Sequence, residues 1–350
     1  MFIMSDKLNP FQRLSNRVGQ TYNGQKIPRG TKWTYSVSGT FRDAAYALMS
    51  AFVIVFAKEA GVIDIGSAAI LGAISAVLIA FRVFDAVNDP IMGVIIERVH
   101  FKTGKYKPWI FIGSLVSTIT YLALFCGPKV FPWCRDWVYV GWFAAFYLLW
   151  DIGFTMNDIA YWSMLPSMSS KEKERAEVTS IVLVCCNIGE FVVTALTPYL
   201  TQTNILGTDA YWIICIIVTS LFLISQTCVF IFCKERSRNL LDRKAEKPAS
   251  IKDLFNVLKN NSQVRTMIIV ILLYYISVHI INGLMNDMLW ITAGYNEAKQ
   301  LQFYFTFVNT AAVLLPPVFI PLLLKKFSLR KIANVGLIGM LVTRVIFLFY

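Results

Sequence analysis

The sequence contains few charged residues for its length. Of its 350 residues, 15% are charged and 56% are hydrophobic, and the mean hydropathy is +0.57. An ordinary soluble domain carries about 25% charged residues, so the composition excludes that class. The shortage of charge predicts a membrane protein that crosses the bilayer several times.

Histidine is scarce, and cysteine shows no metal-ligand spacing. The chain has two His and seven Cys, none of them placed to select a transition metal. Residues 1–32 lack the apolar segment of a secretory signal, so we expect no cleavable signal peptide. We therefore expect no cofactor, and no metal beyond an alkali cation.

Long apolar runs make up most of the chain. About nine of them reach the roughly 20 residues that a helix needs to cross the hydrocarbon layer. These predicted spans lie near 33–57, 65–97, 108–127, 137–168, 176–200, 210–233, 265–294, 300–324 and 331–350. They predict an all-α membrane protein.

The spacing of the spans predicts two six-helix halves of which the second is incomplete. We expect a cytoplasmic segment at 1–32, a six-helix half at 33–233, a cytoplasmic loop at 234–264 and three further spans at 265–350. If the halves match, three spans are missing. We therefore expect a fragment or a truncated gene product.

Within the central loop, a short amphipathic helix is predicted. Ser250 can cap it, and Ile251, Leu254, Phe255 and Leu258 then form one apolar stripe. We expect this helix to lie on the membrane surface or to pack against the inner ends of the spans.

Positive charge is concentrated in the N-terminal segment and in alternate loops. Most of the 33 Lys and Arg residues lie there, and such residues accumulate on the cytoplasmic side. We therefore expect a multi-pass inner-membrane protein with a cytoplasmic N-terminus. The net charge of +12 is explained by this topology and by anionic lipid, so nucleic-acid binding is not expected.

Charged residues within the second span are the most informative feature of the sequence. Arg82, Asp85 and Asp89 share one helix face, with Asn88 beside them. A charge at the centre of a bilayer costs about 2.5–3.5 kcal/mol or more. Such a cluster is retained only for function or for pairing within the protein.

The fourth and first spans also carry polar residues. Asp151, Thr155 and Asp158 form a stripe on the fourth span, which we expect to face the second span. The first span contributes Arg42 and Asp43, expected one or two turns from its cytoplasmic end.

Converging carboxylates need a positive partner, because burial and mutual repulsion disfavour their charged forms. A bound cation or a proton would supply it, and oxygen ligands suit an alkali cation. One alternative is that Arg82 and Asp85 merely pair to hold helices together. Asp89 and Asp158 have no evident partner in the sequence.

Three segments together resemble a known transporter family. They are RVFDAVNDPIMG at 82–93, GKYKPW at 104–109 and FTMNDIAYWSMLP at 154–166. Their sequence, order and separation resemble the glycoside-pentoside-hexuronide:cation symporters, the melibiose-permease branch of the major facilitator superfamily. The resemblance covers residues 33–350 and implies a major facilitator-type bundle.

The resemblance also implies site residues. The counterparts of five residues form the coupling-cation site for Na⁺, Li⁺ or H⁺: Asp85, Asn88, Asp89, Thr155 and Asp158. The counterparts of Asp43, Asp158 and Trp162 bind the sugar, with Arg42 beside them. Asp158 would serve both sites.

A cytoplasmic gating loop is implied between the second and third spans. Gly93, Arg98, Gly104, Lys105 and Lys107 resemble the signature loop of the superfamily. Their positive charges can interact with the negative dipole ends of neighbouring helices and hold the transporter in its outward-facing state. The alternative is that these charges only fix the topology.

Several positions depart from the family pattern. Leu183 stands near a position where sugar-transporting relatives have an arginine, and Ala160 replaces the usual proline. Asp151, Glu190 and Arg344 have no assigned role.

The sequence as a whole predicts a monomeric secondary transporter, not an enzyme. Its partners would be membrane lipid, a monovalent cation and a small glycoside, carried together by alternating access. One alternative is cation-coupled transport of a non-sugar amphiphile such as a lysolipid. The other is a truncated membrane protein that does not transport.

Overall fold

The structure is a computed structural model in which part of the chain is described. The described residues are 27–64, 66–99, 101, 103–169, 172–201, 205–235, 256, 258–277, 280, 304, 307–308, 319, 331, 334–339 and 342.

The described residues form helices. Their bounds are α1 Arg29–Glu59, α2 Ala68–Arg98, α3 Lys107–Phe125, α4 Gly127–Val130, α5 Asp136–Met168, α6 Glu172–Leu200, α7 Asp209–Phe232 and α8 Ser262–Ser277. In the described part of the chain, six of these are long and apolar enough to cross a membrane. The prediction of an all-helical chain with six spans before the central loop is confirmed.

The predicted second half falls mostly outside the described residues. Helix α8 covers the beginning of the predicted span 265–294. Most of the spans predicted at 300–324 and 331–350, and most of the short helix near Ile251, lie outside the described part. The count of nine spans stays a prediction.

Helix α1 is longer than the apolar run that predicted it. It begins at Arg29 directly after Pro28, a residue favoured at helix starts. Lys32, on the first turn, pairs with Glu177 of α6. Because of this extension, Arg42 lies near the middle of the 31-residue helix, and the prediction that it lies one or two turns from the end is wrong.

The helices pack through a few close approaches. Helix α1 packs mainly against α6 and α7, α3 against α5 and α7, and α2 against α5. A Cβ on Gly189 of α6 would lie 1.8 Å from the Thr40 carbonyl oxygen of α1, and one on Gly113 of α3 would lie 2.6 Å from the Gly153 oxygen of α5. Small residues at such crossings are typical of membrane helices.

Glu235, just after α7, caps the start of α3. Its carboxylate accepts backbone N–H groups of Lys105 at 2.6 Å, Tyr106 at 2.9 Å and Lys107 at 2.8 Å. The free N–H groups and positive dipole of a helix N-terminus favour an anion there. Gly104 has φ +142°, and a Cβ on it would meet the Glu235 carboxylate at 2.9 Å. The α2–α3 loop is thereby tied to the end of α7.

Replacing Glu235 with glutamine is expected to destabilise this end of the bundle. The side chain is buried, and hydrogen bonds to a charged group contribute about 1.5–3 kcal/mol each. The apparent melting temperature of the detergent-purified protein measures the loss. Glu177→Gln is the control, because that carboxylate is 63% exposed; equal melting temperatures for the two variants would contradict the capping role.

Candidate functional site

A buried arginine in α1 holds two carboxylates. Arg42 is 3% exposed. Its Nη1 donates to Asp158 Oδ1 of α5 at 2.6 Å, and its Nε donates to Asp43 Oδ1 at 2.9 Å. Charge-assisted hydrogen bonds of this kind are the strong ones. The structure therefore gives Asp158 the partner that the sequence did not reveal.

Two aromatic rings of α5 lie against the same guanidinium. Its central carbon is 4.5 Å from the Tyr161 ring centroid and 5.0 Å from that of Trp162. Trp162 also lies one turn after Asp158 on the same face of α5. Four predicted substrate residues, Arg42, Asp43, Asp158 and Trp162, are thus brought together between α1 and α5.

Tyr161 is fixed by a reciprocal pair of hydrogen bonds with α1. Its hydroxyl donates to the Tyr35 carbonyl oxygen, and the Tyr35 hydroxyl donates to the Tyr161 carbonyl oxygen, each at 2.6 Å. The two rings stack with centroids 4.4 Å apart. This pairing sets the register of α1 on α5 beneath Arg42. Sequence reasoning missed Tyr161, although it stands beside Trp162 in the motif.

The polar stripes of α2 and α5 face each other. Thr155 Oγ1 donates to Asp89 Oδ1 at 3.3 Å. Asp89 also lies close enough to Asp85 and Asp158 to interact electrostatically with both. The predicted cation-site residues therefore lie at one helix interface, next to the Arg42 cluster.

Arg82 and Asp85 pair within one helix. Both lie on α2, with Arg82 Nη1 3.7 Å from Asp85 Oδ2, and the Arg82 side chain is 62% exposed. Arg82 also lies close to Tyr46 of α1 and Tyr147 of α5. The alternative that Arg82 and Asp85 hold helices together therefore stays open.

Two buried polar atoms at the α2–α5 interface have no hydrogen-bond partner in the described part of the chain. They are Asn88 Nδ2 and Asp151 Oδ2, and both residues are more than nine-tenths buried. Buried polar atoms are normally satisfied. Oxygens of Asp85, Asp89, Thr155 and Asp158 suit a hard monovalent cation, although no group of three acidic, His or Cys side chains has metal-holding geometry among the described residues.

The predicted gating loop is held by specific contacts. Lys105 pairs with Glu97 near the end of α2 and lies over the Tyr106 ring at 5.1 Å. Lys107 is fully buried, with its Nζ 5.7 Å from the Phe230 ring centroid. A lysine whose only role was to fix the membrane topology would not have to be buried.

The two remaining loop residues are less informative. A Cβ on Gly93 would meet nothing within 4 Å, so the structure gives no steric reason for glycine there. Arg98 is the last residue of α2. The role of the loop as a latch stays a prediction.

The structure also shows where most of the residues that depart from the family pattern, or that have no assigned role, are located. Leu183 on α6 is 39% exposed, and Glu190 lies close enough to Asp43 to interact with it electrostatically. Ala160 is fully buried, and α5 continues through it without proline. Arg344 lies outside the described residues.

Comparison with known proteins gives a consistent result. The family model for "MFS/sugar transport protein" matches residues 44–350. The lactose permease of Leuconostoc lactis is 27% identical over 87% of this chain and 49% of its own length. That of Lactobacillus delbrueckii subsp. bulgaricus is 25% identical over 86% and 48%. The raffinose carrier protein of Pediococcus pentosaceus is 24% identical over 89% and 50%.

The chain spans about half the length of these curated relatives. The family model nevertheless covers most of the chain, and the resemblance inferred from the three motifs is confirmed. The chain belongs to the MFS/sugar transport protein family, among the glycoside-pentoside-hexuronide:cation symporters of the major facilitator superfamily.

Proposed function

We propose that the protein is a symporter that couples the entry of a monovalent cation to that of a glycoside. One observation carries this proposal. Asp158 binds Arg42 of α1, while Thr155, one turn earlier on α5, binds Asp89 of α2. The candidate sugar and cation sites therefore share one stretch of helix.

Coupling follows from competition for Asp158. In the structure its carboxylate is neutralised by Arg42. A cation bound beside Asp89 attracts the same carboxylate and weakens its bond to Arg42, which frees Arg42 to donate to sugar hydroxyls. By linkage, a bound sugar then tightens cation binding by the same factor.

The side chains around Arg42 suit a pyranose. Asp43 and Asp158 accept hydrogen bonds from hydroxyls, Arg42 donates, and the Trp162 indole offers a face for the apolar side of the ring. The names of the relatives, lactose permease and raffinose carrier protein, favour a sugar over a lysolipid. Leu183 in place of an arginine predicts a selectivity that differs from that of a melibiose transporter.

The sidedness of the proposal rests on charge. The starts of α1 and α6, the α2–α3 connection and the end of α7 carry most basic residues of the described bundle. Cys233 Sγ lies 3.8 Å from the Thr31 carbonyl oxygen at this end. We assign this end to the cytoplasm. Alternating access then exposes the Arg42 cluster to each side in turn.

Ligand-induced stabilisation of the purified protein tests the function. A ligand at 100 times its Kd stabilises the folded state by about 2.7 kcal/mol. We expect lactose, melibiose or raffinose to raise the melting temperature, and Na⁺ or Li⁺ to lower the sugar concentration required. Stabilisation by a lysolipid alone would favour the non-sugar alternative, and no stabilisation by any solute would contradict transport.

Replacing Trp162 with alanine is expected to weaken sugar binding. Truncating a well-packed tryptophan at a binding site costs about 2 kcal/mol or more, which is roughly 30-fold in affinity. Isothermal titration with the stabilising sugar measures the loss. Trp133→Ala is the control, because Trp133 is 61% exposed and remote from Arg42 in the fold; equal affinities in both variants would remove the stacking role.

A further inference from the structure

Asp151 of α5 is a buried acid to which the family motifs give no role. It is 5% exposed, and its Oδ2 has no hydrogen-bond partner in the part of the chain that the structure describes. A buried carboxylate is costly unless a donor or a cation reaches it. Asp151 therefore requires a positive partner.

The neighbour of Asp151 on α2 is another acid. The Phe81 ring of α2 stacks 5.6 Å from the Tyr147 ring of α5, and Thr155 donates to Asp89, so Asp85 lies level with Asp151 between these two contacts. Two carboxylates that face each other repel unless a positive charge lies between them or beside them. This arrangement concentrates negative charge at the α2–α5 interface.

The arginines of the bundle supply too little positive charge for this interface. Arg82 is 3.7 Å from Asp85 on the same helix, but its one charge faces three acids, Asp85, Asp89 and Asp151. Arg42 is already bonded to Asp43 and Asp158. The positive charge that Asp85 and Asp151 need is therefore left to a mobile cation.

Aromatic rings pack beside Asp151 along α5. The Trp150 ring, on the residue before it, is 5.1 Å from that of Tyr147, 5.5 Å from that of Phe154 and 6.3 Å from that of Tyr46. A buried carboxylate in such apolar packing is screened poorly, which strengthens its attraction for an ion. The charged and titratable side chains nearby are Tyr46 of α1, Arg82, Asp85 and Asp89 of α2, Tyr121 of α3, and Tyr147 and Asp158 of α5.

We propose that Asp151 is a further cation-binding residue that, together with Asp85, holds an alkali cation between α2 and α5. Both supply the hard oxygen ligands that such an ion prefers, and Asp89 lies one turn along α2 from Asp85. The inference rests on the proposed function in that this ion is the one that drives symport. It assigns part of the cation affinity to a residue outside the family motifs.

Cation-dependent melting of the purified protein tests this assignment at fixed pH. NaCl and LiCl are titrated against choline chloride, so that ionic strength stays constant. Loss of a supporting ligand typically lowers metal affinity about 10- to 100-fold. Asp151→Asn should therefore raise the midpoint, which is the Na⁺ or Li⁺ concentration that gives half of the full rise in melting temperature, by that factor. Asp209→Asn is the control, because that carboxylate pairs with Lys129 at the surface and is 61% exposed.

Two further variants separate binding from folding. Asp151→Glu keeps the charge and should keep most of the Na⁺ stabilisation even if Asp151→Asn folds poorly. In Asp85→Asn combined with Asp151→Asn, the loss of Na⁺ affinity should be smaller than the sum of the two single losses, because residues that bind one ion are coupled. Additive losses would place the two acids at separate ions and overturn the shared site.

The outcomes distinguish this inference from the proposed function. An unchanged midpoint in Asp151→Asn, or a wild-type protein that neither Na⁺ nor Li⁺ stabilises, would overturn the inference. If Na⁺ stabilises the wild type and Asp151→Asn shifts the midpoint while no sugar has any effect, the cation site stands and the sugar symport proposal fails.

Discussion

Replacing Asp158 with asparagine is expected to abolish cation-driven uptake. The change removes a carboxylate that binds Arg42 at 2.6 Å and that lies within electrostatic reach of Asp89. One charged hydrogen bond is worth about 1.5–3 kcal/mol, and Asp158 is proposed to serve two ligands. Uptake of labelled sugar into proteoliposomes under a Na⁺ gradient should therefore fall about 100-fold or more.

Two companion variants make the result specific. Asp43→Asn should weaken sugar binding but keep stabilisation by Na⁺, because Asp43 bonds to Arg42 and is not part of the α2–α5 contact. Asp209→Asn, at an exposed pair with Lys129, should transport normally. If Asp158→Asn kept full Na⁺-dependent uptake, Asp158 would not be the shared residue.

The six spans could be predicted because the bilayer imposes a simple length rule on apolar helices. The polar stripes of α2 and α5 could also be predicted, since helical spacing fixes which residues share a face. Asp89 and Thr155 lie on those faces, and they meet. Both predictions depend only on local geometry and on the cost of charge in lipid.

The partner of Arg42 could not be predicted in the same way. Arg42 and Asp158 are 116 residues apart in sequence, and periodicity does not say which helix faces which. Glu235 was hidden for a similar reason, because it lies at the start of the central loop, where only the basic residues and the amphipathic helix carried a prediction. Its carboxylate matters because the start of α3 happens to lie beside it.

The α1–α6 crossing was also invisible in the sequence, although it positions the Arg42 cluster. A glycine in an apolar helix does not reveal what approaches it. Gly189 permits the backbone of Thr40 to come so close that any side chain would overlap it. Thr40 lies less than one turn from Asp43, so the crossing fixes where that carboxylate lies.

Replacing Gly189 with alanine is accordingly expected to be the most disruptive small change in the bundle. The new Cβ would lie 1.8 Å from the Thr40 carbonyl oxygen, and a backbone atom cannot move aside as a flexible side chain can. Overpacking usually costs about 1–3 kcal/mol, and here the helices themselves must separate. We expect a melting temperature lower by about 10 °C, or failure to recover folded protein from detergent.

Gly141→Ala in α5 is the matched control, because a Cβ there would meet nothing within 4 Å. The same substitution in an open helical position gains up to about 1 kcal/mol of helix propensity, so this variant should be as stable as the wild type or slightly more stable. Size-exclusion profiles and melting curves of both variants in the same detergent give the comparison. Equal stability of Gly189→Ala and Gly141→Ala would mean that α1 and α6 lie further apart than the structure shows, and that the position of Asp43 is not fixed by their crossing.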